Sequence, residues 1–219
     1  GTSLVLQAAH QGQLPLVKLL LEHRADPAAQ NREGTDALMA AAAEGHAHVV
    51  AHFLSLDTSG VNKADSDGTT ALMSASARGH TVCVQLLLEG GAAADARNSD
   101  GHSALMFAYN GRSQMRRLAE RQRQRGKTLV AVLAALRKHE EVVRLLLERG
   151  ADVRAVDISG RTVSAFDYSP AVPLELEPVS DTELADAPSG KGGAGGEGFA
   201  DPRDYDEDAR QGDLHTWEL

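Results

Sequence analysis

The chain has 219 residues, 42% of them hydrophobic but only 4% aromatic, with alanine supplying much of the apolar content. This suits close helix-on-helix packing better than a bulky β-sandwich core. Its only cysteine, Cys83, excludes an internal disulfide framework and favours a reducing intracellular compartment, while the longest apolar run, near residues 129–136, falls far short of a membrane span. The net charge of −9 is uneven: residues 1–168 hold 19 basic and 18 acidic side chains, and residues 169–219 hold 3 and 13.

Taken from the N-terminus, the chain repeats itself. "GTSLVLQAAHQG" (1–12) is followed by an apolar segment, "LPLVKLLLEHRAD" (14–26). "GTDALMAAAAEGH" (34–46) and "HVVAHFLSL" (48–56) repeat that order, as do "GTTALMSASARGH" (68–80) and "TVCVQLLLEGGA" (81–92). "GHSALMFAYN" (101–110) opens a fourth unit, but its apolar segment, "EEVVRLLLERGAD", comes only at 141–152. The period of 33–34 residues marks a stack of supersecondary units. Leu38, Ala41 and Ala42 recur at helical spacing in a first segment, and Val49, Val50, Phe53 and Leu54 in a second. Gly45 and Gly79 fall where a first helix must end and turn. Gly34, Gly68 and Gly101 fall in turns between units, beside the turn formers Asp67 and Asp100. Met39, Met73 and Met106 form a row expected in the core. The units run 1–33, 34–67, 68–100 and 101–159, and "GRTVSAFDY" (160–168) begins a fifth that has no second helix and is read as a cap. Gly1 falls on a turn-glycine position, which leaves further repeats or a removed targeting segment ahead of it open.

The fourth unit carries about 26 extra residues, 112–138. Met115, Leu118 and Ala119 continue the first helix, and Leu129, Val132, Leu133 and Leu136 lead into the second, with residues 126–127 as the only clear breaker. Two lengthened helices forming an antiparallel hairpin would project by roughly 20 Å. The insertion holds nine Arg or Lys and one acid, Glu120. Arg112, Arg116, Arg117, Arg121, Arg123, Arg125 and Lys127 are expected on its outer faces and tip. Three readings compete: a solvated helical surface, docking on an acidic protein surface (the chain's own tail included), or contact with RNA or an anionic membrane. Aromatics for base stacking are missing from the insertion, and the overall acidity opposes polyanion binding.

Residues 169–198 read as a linker, first proline-spaced and acidic, then glycine-rich. Residues 199–219 set Phe199, Tyr205 and Trp217 among acids, a pattern for either a solvated tail or a segment that orders on binding, back on the hairpin or on another subunit. No cofactor is expected. His46, His48 and His52 lack a third well-placed metal ligand, so no metal site is assigned. "SGKGGAGGEG" (189–198) lacks the phosphate-loop spacing, and no nucleophile signature points to an enzyme.

The repeated segments resemble the ankyrin repeat over about residues 1–168. The match rests on Asp65 with Gly68, on Leu38, Leu72 and Leu105, on Gly45–His46 and Gly79–His80, and on Gly150–Ala151–Asp152. The family's Thr-Pro-Leu-His core departs here, with Ala for Pro and Met for His at 36–39, 70–73 and 103–106. The resemblance implies an all-α solenoid of four helix pairs and a degenerate C-terminal cap, with the hairpin inserted and an extended acidic tail behind it. It also implies a non-catalytic scaffold that binds protein partners through the turn tips and the first-helix face. By position, the partner-facing residues are Gln30, Arg32, Glu33, Thr35 and Glu44, then Ala64, Ser66, Asp67, Thr69 and Arg78. Arg97, Ser99, Asp100 and His102 complete the set. Mixed charge without an aromatic anchor predicts a polar interface. The alternative is an adaptor whose basic hairpin binds RNA or an anionic membrane.

Overall fold

The computed structural model describes residues 3–125 and 129–163. Lys127, most of the expected cap, the linker, and the tail with Phe199, Tyr205 and Trp217 lie outside the described residues. Among the described residues there are eight helices and no strands: α1 (Leu4–His10), α2 (Leu14–Glu22), α3 (Ala37–Ala43), α4 (Ala47–Leu56), α5 (Ala71–Arg78), α6 (Thr81–Glu89), α7 (Ala104–Gln124) and α8 (Val130–Glu148). They form four pairs. The first helices α1, α3, α5 and α7 pack side by side in one row, and α2, α4, α6 and α8 form a second row behind it.

Each pair starts from the same local chemistry. Ser3, Asp36 and Thr70 sit at the N-caps of α1, α3 and α5, and each side chain accepts a hydrogen bond from the backbone N–H three residues on. Ser103 stands at the same place before α7 without making that bond. The small residues of the first helices then vanish into the core. Ala9, Ala41, Ala42, Ala75 and Ala108 have no accessible surface, and Met39, Met73 and Met106 are buried beside them. Alanine at these positions lets the helices of the row approach closely, and Leu72, Leu87, Leu105 and Leu146 fill what remains.

Between pairs the chain makes one turn, repeated four times. Asn31, Asp65, Asn98 and Asp157 each accept two backbone N–H bonds with one side-chain oxygen, from residues two and four further on. The bonds run from 2.8 to 3.1 Å. The isolated bridges Ala64–Thr70, Arg97–Ser103 and Val156–Thr162 close the last three of these turns. The turn-forming side chains are therefore not Asp67 and Asp100, as the sequence suggested. Those two supply backbone carbonyls that accept from Ser99 and Ile158 in the next turn.

Second helices are joined to the row by histidines. His46 and His80 occupy the N-caps of α4 and α6 but make no side-chain cap there. Each instead reaches into the preceding unit, where Nε2 donates to the His10 carbonyl or the Ala43 carbonyl, both at 2.9 Å. The turn glycine of that unit leaves room for the ring. At Gly45, where φ is +78°, a Cβ would come within 2.5 Å of the His80 imidazole.

The fourth pair departs from the others in length. Helix α7 has 21 residues against 8 in α5, and α8 has 19 against 9 in α6. Thirteen more residues add roughly 20 Å to α7. The added parts of α7 and α8 pack on each other. Ala119, Val132, Ala135 and Leu136 are buried there, with Met115, Leu118 and Leu133 half-buried. The insertion ends where the repeat frame requires. His139 Nε2 lies 3.1 Å from the Ala77 carbonyl, the contact that His80 makes one unit earlier.

Candidate partner-binding surface

The turns place their tips in one line. Ser66 N–H donates to the Glu33 carbonyl at 2.9 Å, Ser99 to Asp67 at 2.8 Å, and Ile158 to Asp100 at 3.0 Å. Each tip is thus held by the one before it. The side chains of Arg32, Glu33, Ser66, Asp67, Arg97 and Ser99 stand exposed along the line, as does Ala64. Gln30 is exposed but bonds its own turn, donating to the Gly34 carbonyl at 2.6 Å. Thr35 and Asp100 are half-buried. The Arg97 guanidinium donates to the Val156 carbonyl, tying two turns together.

Two residues expected on this surface are not on it. Thr69 and His102 are buried, at 8% and 5% exposure, because the residue after the turn glycine points into the stack. His102 packs edge-on against Phe107 at 5.8 Å, and its Nε2 lies 3.5 Å from Asp157, an ion pair when the ring is protonated. Burial would raise the Asp157 carboxyl. Hydrogen bonds from the Arg161 backbone and side chain and from Ser159 N–H outweigh it and hold the group at about 2.

The first-helix face carries the other expected group. Glu44 is half-buried and pairs with Arg78 at 2.9 Å and, across the other neighbour, with His10 at 3.6 Å when that ring is protonated. His46 and His48 each turn Nε2 to a backbone carbonyl, at 2.9 and 3.0 Å. Among the described residues no group of three or more His, Cys, Asp or Glu is arranged to hold a metal ion.

The hairpin's arginines divide into two kinds, and this corrects the expectation that all line its outside. Arg112 and Arg116 are half-buried. Arg112 lies 4.4 Å over the Tyr109 ring, and Arg116 is 3.8 Å from Glu140 on α8. Arg117, Arg121, Arg123 and Arg125 are exposed. Sequence reasoning also missed the last tip, where Val156 and Ile158 are exposed at 44% and 73% in positions held by polar or small residues in the earlier turns. Aligning the fourth turn on Asp157, as the third on Asn98, would have found them.

Helix pairs repeated in register, with side-chain-closed turns between them, define an all-α repeat solenoid. A family model described as ankyrin repeats (3 copies) matches residues 5–98 and 78–157, and the chain belongs to the ankyrin repeat family. No curated protein matches the chain. Ankyrin repeats are in general protein–protein interaction modules and are typically non-catalytic. Among the described residues no helix is long and apolar enough to cross a membrane.

Proposed function

We propose that the protein is a non-catalytic scaffold or assembly subunit that holds a protein partner on its turn tips and first-helix face, with the basic hairpin as a second contact. The observation that carries this reading is the line of tips. Each is fixed by a backbone bond to its neighbour, and exposed side chains of both signs stand on it. A pre-ordered surface loses little entropy when a partner docks, and mixed charge selects a partner by complementarity.

The test is affinity capture with the full chain and with a variant carrying Arg32→Glu, Ser66→Arg and Ser99→Arg. These side chains are exposed, so the fold should survive. Partners that depend on the tips should be retained by the wild type and lost by the variant. Identical captured sets would rule the tips out as the binding surface.

A further inference from the structure

The exposed face of the first helices continues onto the hairpin. On α5 that face carries the half-buried Ser74 and the exposed Arg78, and on α7 it carries the half-buried Phe107 and the exposed Asn110. At 3.6 residues per turn, the face of α7 marked by Phe107 and Asn110 goes on through Gln114, Arg117, Arg121 and Arg125. All four are exposed, and α7 is helical without interruption from Ala104 to Gln124. In register, α5 ends opposite Gly111, so Arg117 and Arg121 lie on the part of α7 that runs past it, with Arg125 at the C-cap.

The insertion's one acid, Glu120, accepts from Gln124. The stripe itself has three arginines and no acid. Arginines four residues apart on a helix stand about 6 Å from one another, a spacing that carboxylates meet on one face of a partner helix or at alternate positions of an extended strand.

We infer that the first-helix row and the outer face of α7 form one continuous surface for an acidic protein segment, which lies across the row and then along Arg117, Arg121 and Arg125. This rests on the first-helix face being a partner surface, and it adds the partner's charge and direction. A polynucleotide fits less well. The stripe beyond Phe107 has no aromatic on which a base could stack.

The probe is fluorescein-labelled poly-L-glutamate, titrated by anisotropy against the full chain at low salt. Three variants are compared: Arg117→Glu/Arg121→Glu/Arg125→Glu on the stripe; Ser74→Glu on α5; and Arg137→Glu/Arg149→Glu/Arg154→Glu, an equal charge change at exposed sites elsewhere. Thermal melts by circular dichroism check that each is folded. The stripe variant should bind about tenfold more weakly or worse, Ser74→Glu about two- to threefold, and the control less than about twofold. The inference is overturned if wild type does not bind, if the control loses as much as the stripe variant, or if poly-uridylate binds more tightly than poly-glutamate. Weakening by the stripe variant with Ser74→Glu silent would break the continuity. Weakening by Ser74→Glu alone would remove the arm and leave the repeat-face reading standing.

Discussion

Gly111 is the residue at which the fourth unit leaves the pattern of the others. In the repeat frame it takes the position of Arg78, and it is buried inside α7 rather than placed at a helix end. A Cβ there would strike the His139 imidazole and would come within 2.5 Å of the Ala77 carbonyl. Gly→Ala inside a helix ordinarily stabilises by about 0.5–1 kcal/mol. Here the clash with backbone should reverse the sign, and Gly111→Ala should cost about 1–3 kcal/mol by chemical denaturation. A stabilised variant would mean that α7 and α5 are not packed this closely. His80 yields a pH prediction. Burial, against the opposing Ala43 hydrogen bond, pushes its imidazole from 6.5 down to about 4. Between those values the unfolded chain takes up a proton that the folded chain refuses. The native state therefore loses stability as pH falls from about 6.5 to about 4, and the contribution is complete above that window. The drop across the window, read from melting temperatures, should shrink in His80→Gln; an unchanged drop would contradict the assignment.

At the scale of elements, the turn and the insertion each make a prediction. Asp157 stands where the earlier turns have Asn31, Asp65 and Asn98, so an amide serves the turn as well as a carboxylate. Asp157→Asn should keep both backbone bonds and lose mainly the Arg161 pair, a change within about 1 kcal/mol. Asp157→Ala leaves the N–H groups of Ser159 and Arg161 without their acceptor and should cost about 1–3 kcal/mol. Equal costs in denaturant titrations would show that the ion pair, not the turn, is what matters. The insertion closes on His139, whose ring repeats the cross-unit contact of His80. Removing 113–138 together with Arg112→Gly should therefore rebuild a repeat of ordinary length, with the introduced glycine taking the left-handed position that Gly79 holds. That chain should unfold in one cooperative transition with lower helical ellipticity. A non-cooperative melt would show that the hairpin holds the fourth unit together.

For the whole molecule, what the sequence revealed and what it hid follow from how each signal is written. Periodic features were legible: helix pairs, turn glycines and the methionine row all recur at 33–34 residues. Features that need a neighbouring unit were not. Nothing in the local pattern separates Arg112 and Arg116, drawn in by Tyr109 and Glu140, from the exposed Arg117 and Arg121. The burial of Thr69 and His102 likewise depends on the stack around them. The same neighbour dependence sets stability. In a solenoid each unit is stabilised mainly by the units it touches. Helix α2 buries little: Val17 is its only buried residue, and Leu16 and Leu19 are 38% and 50% exposed. In α6, Cys83, Val84, Leu87 and Leu88 are all buried, between α4 and α8. Local opening should therefore be easiest in α2. In hydrogen exchange of the full chain, α2 amides should exchange at least about tenfold faster than those of α6, since one lost core side chain already amounts to more than about 1.4 kcal/mol. Truncating the inner core with Leu72→Ala should cost about 2–5 kcal/mol and speed exchange in α3, α6 and α7 together. If exchange rose in α5 alone, the units would be uncoupled, and the continuous core inferred from the stacked first helices would not govern the molecule's stability.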